Sequence, residues 1–248
     1  MTSDIRSMPH YCVLMRFFNK SLPCLKTEYR WQGRGYAETV QEKLVLTHNW
    51  KKATTPTERS AVARQVIVEW GGIKTISSGT LSRHAESTMT PSIHAPFSGI
   101  ASYSKLLAIA YPERYAIYDS RVSACLNALQ INAGLSAGVA FNYAPGRNNV
   151  IGNPISNRGF TQQHEFKVKT LKKNGWKRVT RDGTYSLYLR TLRCCLEDIS
   201  GGYSLQDLEM ALFANAEIEC EKAMRRPERS PSTHGSKDRR LRNGAFSP

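Results

Sequence analysis

Long apolar runs are absent from this chain. No stretch approaches the roughly 20 residues that a bilayer-spanning helix needs, which excludes a multi-span membrane protein. Cysteine is sparse, six in 248 residues, and no two are spaced as C-x-x-C. The six histidines do not cluster with them, so a zinc ribbon or an iron–sulfur centre is not expected. No metal or other cofactor is read from the chain, and its thiols are read as free, in a reducing cytoplasm. Asp4, Arg6, Pro9 and His10 precede the short apolar segment 13–18, which is not the pattern of a signal peptide. Acidic residues are also few: 20 Asp and Glu face 35 Lys and Arg, a formal net charge of +15. Such a surplus points to a polyanionic partner, most simply nucleic acid.

The basic residues that are present fall in two places. Residues 167–193 hold Lys167, Lys169, Lys172, Lys173, Lys177, Arg178, Arg181, Arg190 and Arg193 against Asp182 alone, interleaved with Trp176, Tyr185 and Tyr188. Aromatic and basic residues mixed in this way suit nucleic-acid binding. The segment 221–248 is rich in Pro, Ser, Arg and Gly and almost without apolar residues. It is expected to be a disordered basic tail that either solubilises the chain or tethers it weakly to nucleic acid.

Hydrophobic periodicity predicts mostly helices. Thr55-Pro56-Thr57-Glu58 has the form of a capping box with proline at the first helical position, followed by Val62, Val66, Trp70 and Ile73 at helical spacing and a stop at Gly71-Gly72. Further helices are expected over 36–48, 104–110, 120–130, 185–199 and 204–216. Residues 74–98 and 134–160, rich in Gly, Ser, Asn and Pro, are expected to be connections. A strand is expected near 11–18. The fold class is therefore mainly α, with two helical lobes, a long central connection and few or no strands.

The segment from Phe97 to Leu129 carries the chemistry. Phe97-Ser98-Gly99-Ile100-Ala101-Ser102 is a glycine-containing turn entering a helix, a form that can present backbone N–H groups to a phosphate. Further on, Tyr115-Ala116-Ile117-Tyr118-Asp119-Ser120-Arg121-Val122 ends an extended apolar segment with a carboxylate at a helix start. Asp119 is either an N-cap or a catalytic carboxylate held at a helix N-terminus, and spacing does not separate the two. Tyr118 and Trp70 are candidates to line a base pocket or to pack in the core. The amide-rich stretch 146–160 is either a base-reading loop or an ordinary polar one.

These residues resemble a known family. Ser104-Lys105-Leu106-Leu107, with Tyr111-Pro112-Glu113-Arg114 and the string 115–122, is similar to the bacterial oxoguanine-glycosylase-fold proteins, divergent relatives of the helix-hairpin-helix DNA glycosylases. Trp70-Gly71-Gly72, the stretch 185–196 and Leu208-Glu209-Met210-Ala211-Leu212-Phe213 resemble other elements of the same proteins, so the likeness spans residues 55–216 in patches. It implies a two-lobed helix-hairpin-helix glycosylase-like fold with a core over 55–220, to which residues 1–54 belong, ahead of the tail 221–248. It implies a monomer on double-stranded DNA that flips out a damaged or modified base, in repair or against viral DNA, in a bacterial cytoplasm. By the same likeness Asp119 would stabilise the oxocarbenium-like transition state, and Gly99, Ile100, Ala101, Ser102 and Tyr103 would contact DNA. Arg121 is read as a DNA contact, as a residue that orients the carboxylate, or equally as half of a surface salt bridge. Lys105 is the candidate Schiff-base nucleophile, which would add abasic-site lyase activity. The family's lysine column, however, falls on Tyr103, and Ala101 replaces the second hairpin glycine. This displacement favours monofunctional release, with either Lys105 on a phosphate or the hairpin itself altered. A non-catalytic DNA-binding module on the same fold, and a helical protein docking an acidic partner, stay open as alternatives.

Overall fold

The computed structural model describes residues 4–93 and 95–225. The chain is mainly helical, with ten α-helices among the described residues and one two-stranded parallel sheet. The helices are α1 (Pro9–Ser21), α2 (Leu25–Glu28), α3 (Tyr36–Lys52), α4 (Pro56–Arg64), α5 (Ser78–Met89), α6 (Ile100–Ala110), α7 (Ser120–Asn132), α8 (Val168–Lys173), α9 (Arg181–Asp198) and α10 (Leu205–Met224). The strands β1 (Val139–Ala140) and β2 (Lys177–Arg178) pair Val139 with Lys177 and Ala140 with Arg178.

The predicted strand near 11–18 is the helix α1. Pro9 stands at its first turn, where a missing N–H is harmless, and His10, Tyr11, Val13, Leu14 and Phe18 bury one face. Such an apolar run suits a buried helix as well as a strand, and no neighbouring strand pairs with it. The predicted connection 74–98 contains α5. Ser77 caps it by accepting the Thr80 amide at 3.2 Å, and Leu81, Ala85 and Thr88 form its buried stripe. Helix α6 starts at Ile100, four residues before the expected point, and α9 starts at Arg181. Helix α10 continues to Met224, so residues 221–224 are helical and not the start of a disordered tail. The remainder of that segment, 226–248, lies outside the described residues.

The capping box at Thr55 forms as expected. The Glu58 amide donates to Thr55 Oγ1, and the Thr55 amide donates to Glu58 Oε2. Backbone donors from Thr55 and Thr54 pull the Glu58 carboxyl down to about 2. Beyond α4 the helix widens into a π turn over Gln65–Trp70, in which the Gly71 amide reaches back to the Val66 carbonyl. Single π turns of this kind recur at functional sites.

Buried apolar side chains form two main bodies. One gathers α1, α7, α9 and α10 around Phe18, Leu126, Leu189 and Leu212. The other gathers α3, α4 and α5 around Trp50, Val66 and Leu81. Helix α6 lies between them and serves both, with Ile100, Tyr103 and Leu107 in the first and Leu106 and Ile109 in the second. Residues 1–54 are divided between these bodies rather than set apart.

Candidate active site

Asp119 ends an extended segment that belongs to no sheet, so its backbone polar groups need other partners. Side chains supply them. Ser104 Oγ on α6 accepts the Tyr118 amide at 2.9 Å, while Tyr185 and Tyr188 on α9 donate their hydroxyls to the carbonyls of Ala116 and Ile117, each at 2.9 Å. The segment is thereby pinned on two sides, and Asp119 is delivered to the start of α7 in a fixed register.

There Asp119 makes two sets of bonds. Its Oδ1 accepts the backbone amides of Arg121 and Val122 at 3.0 and 3.2 Å, which is the N-cap role. Its Oδ2 accepts from Lys105 Nζ at 3.2 Å. The pair is buried, with side-chain exposures of 7% for Lys105 and 13% for Asp119, so it is little screened by solvent. Tyr103, at the lysine column of the family likeness, does not reach this place. Its hydroxyl donates to the Ser87 carbonyl, and its ring stacks on His84.

Lys105 and Asp119 open onto a cavity of about 20 Å³, the room of one water molecule. Its walls are Tyr29, Trp31, Lys43, Trp70, Ile117, Glu209 and Phe213. Tyr29 and Phe213 belong to the first apolar body, Trp70 and Ile117 to the second, and Trp31 packs against both. The charged groups therefore sit at the seam of the two cores. Trp31 meets Trp70 and Phe213 edge to face. Trp70 thus lines the cavity as well as packing, and its indole N–H has no acceptor among the described residues. Tyr118 does not line it: the ring is fully buried and its hydroxyl donates to the Asn142 carbonyl.

A second buried ion pair shares the cavity. Lys43 Nζ lies 2.9 Å from Glu209 Oε2, with side-chain exposures of 6% and 4%. Burial raises the Glu209 carboxyl above the usual carboxylate range, although the Lys43 ammonium works against it. Burial also raises the Tyr29 hydroxyl. Sequence reasoning missed Lys43 and Glu209, yet a signal existed. Lys43 falls on the buried α3 stripe of Thr39, Leu46, Thr47 and Trp50, and Glu209 on the buried α10 stripe of Leu205, Leu208 and Leu212. A charged residue inside an apolar stripe needs a partner.

The turn before α6 is more closed than its sequence suggested. Gly99 takes φ +77, which glycine tolerates. The amides of Ile100, Ser102 and Tyr103 are bonded to the carbonyls of Phe97 and Gly99, and the side chains of all three residues are buried. Ser102 Oγ donates to the Gly99 carbonyl and is bonded to His84 Nε2 at 3.0 Å. Of the expected DNA contacts in this turn only Gly99 and Ala101 reach the outer face, beside the exposed Ser98. The Arg121 guanidinium pairs with Glu217 at 2.5 Å and covers the Phe213 ring, so only its backbone amide touches Asp119.

The nine basic residues of 167–193 lie on the surface or partly so, and none pairs with a carboxylate among the described residues. One of them adjoins the turn: Arg181 lies over the Phe97 ring, and its neighbour Asp182 accepts the Phe97 amide at 3.2 Å. The aromatic residues between them are not available for stacking. Trp176 is buried against Ala140 and Leu171, and Tyr185 and Tyr188 are buried because the periodicity of α9 turns them to the core while the basic residues face out. In the 146–160 loop the Asn148 side chain is committed to the loop's own amides and to Glu217. No helix among the described residues is long and apolar enough to cross a membrane. Comparison of the chain with protein-family models, curated proteins and solved structures finds no match.

Proposed function

We propose that the chain is a DNA N-glycosylase that extrudes a damaged or modified base toward the seam between its two helical bodies, on a helix-hairpin-helix glycosylase-like fold. The observation that carries this reading is the Lys105–Asp119 pair: a nucleophile-bearing residue and a carboxylate 3.2 Å apart, buried, at a helix start and among aromatic rings. The lysine amine attacks sugar C1′ as the glycosidic bond breaks, and the Asp119 carboxylate faces the positive charge that develops on the sugar. The unpaired basic residues of 167–193, with Arg181 beside the turn, hold the phosphate backbone of double-stranded DNA. The cavity admits one water, so a base enters only after the two bodies part, as binding energy from the duplex allows. Removal of a modified viral base and repair of cellular DNA both follow from this chemistry. The rival reading is a DNA-binding module, for which the observation is that both Asp119 oxygens already serve structural bonds.

The deciding experiment incubates wild type, Asp119→Asn and Lys105→Met with oxidised, alkylated and phage-modified duplexes and identifies released bases by mass spectrometry. Wild type is expected to release a base. Each variant should lose at least about 100-fold in rate while binding DNA within a few-fold of wild type. Undiminished release by both variants would overturn the assignment, and salt-sensitive binding without release by wild type would establish the binding module.

A further inference from the structure

We propose that Glu209 carries the proton that the Lys105 chemistry must move, and that Lys43 positions it. The proposal rests on the reading of Lys105 as nucleophile. A lysine is nucleophilic only as the free amine, whereas in the resting site Lys105 is engaged in an ion pair with Asp119. A proton acceptor is therefore required. Asp119 is poorly placed for that role, since it must remain an anion beside the sugar.

Glu209 meets the requirement by position. It lines the same cavity as Lys105, its side chain is 4% exposed, and it interacts electrostatically with both Lys105 and Asp119. The cavity of about 20 Å³ has room for the single water through which the transfer would pass. Packing does not account for the pair. Two apolar residues of similar volume at positions 43 and 209 would hold α3 against α10 as well or better. Its burial raises the carboxyl toward values at which a proton can be held and returned.

The step balances as follows. The Lys105 ammonium gives a proton to the Glu209 carboxylate, leaving a lone pair on Nζ. The lone pair forms the Nζ–C1′ bond while the C1′–N bond to the base breaks, and that electron pair leaves with the base. The departing base takes the proton from the Glu209 carboxyl, which returns to carboxylate. Lys105 is left as a protonated C1′ amine and the base is neutral.

Borohydride trapping on preformed abasic duplex isolates the first proton transfer, because no base leaves. Glu209→Gln is expected to trap at least about 100-fold more slowly than wild type near neutral pH and to recover toward the wild-type rate at alkaline pH, where solvent hydroxide replaces the missing base. The double variant Lys43→Met with Glu209→Met removes both charges, guards against misfolding from one unpaired ion, and should show the same loss and the same alkaline recovery. A folded variant that traps at the wild-type rate at neutral pH overturns the proposal. So does a deficit that is equal at every pH, which marks a structural role. Absence of trapping by wild type would instead remove Lys105 as nucleophile and this proposal with it, while base release separately decides the glycosylase reading.

Discussion

Gly71 makes room for Lys105: a Cβ at residue 71 would lie 2.8 Å from Lys105 Cδ and 2.7 Å from the Val66 carbonyl oxygen. The backbone of Gly71 is in the ordinary right-handed helical region, so space and not conformation requires the glycine. The π turn brings this residue against the lysine stem. Gly71→Ala is expected to push the ammonium off Asp119, lowering base release at least about tenfold. Overpacking of about 1–3 kcal/mol should lower Tm by several degrees. Gly72 supplies the contrast. Its φ is +73 and its Cβ would meet only Gln32, at 3.8 Å. Gly72→Ala should cost about 1–2 kcal/mol of stability with activity per folded molecule retained. Equal activity in the two variants would refute the steric account.

Tyr188 and Tyr185 serve Asp119 from a distance. Each hydroxyl is the donor to one carbonyl of the unpaired extended segment. Tyr188→Phe leaves the Ile117 carbonyl buried without a donor and is expected to cost about 1–3 kcal/mol in urea denaturation. Because Asp119 lies two residues further on, the rate of base release should fall while DNA affinity holds. Tyr185→Phe should act in the same direction through Ala116. Loss of stability with an unchanged rate would show that the segment keeps its register without these bonds.

His10 sets an acid limit on stability. Thr191 Oγ1 donates to the Leu187 carbonyl, so at the 3.2 Å contact His10 Nε2 must be the donor. Nδ1 is then bare, buried and without a partner among the described residues. Burial, with Lys177 adding to it, lowers the imidazole to about 4. A base whose folded value is depressed binds fewer protons folded than unfolded. Its contribution is therefore complete above about pH 6.5 and declines as pH falls toward 4, with a slope of about 1.4 kcal/mol per pH unit. Denaturant midpoints measured across that window should show the slope in wild type, and His10→Gln should flatten it. A slope unchanged by the substitution would assign the acid sensitivity elsewhere.

Periodicity served where each segment carried its own signal. Thr55-Pro56-Thr57-Glu58 names a helix start because capping is local, and the helices at 120 and 204 were legible for the same reason. It failed where burial decides between helices and other states. The 11–18 segment is apolar enough for either regular structure, and α5 hides in a Ser- and Thr-rich stretch whose few apolar residues gain a partner only in three dimensions. Tyr185 and Tyr188 looked like stacking aromatics beside basic residues, but packing turned them inward onto carbonyls that no sequence pattern announces.

Composition and local pattern by themselves determined that the chain is mainly helical, strongly basic, and carries a carboxylate at a helix start, since these depend on residues near one another. Tertiary structure decided what that carboxylate meets. Lys105 is 14 residues from Asp119, and Lys43 and Glu209 are 166 residues apart, yet all four line one cavity. The reason is physical: a buried charge is tolerable only where an opposite charge arrives from another element, and only the tertiary packing of α3 against α6 and of α10 against α7 brings those partners together.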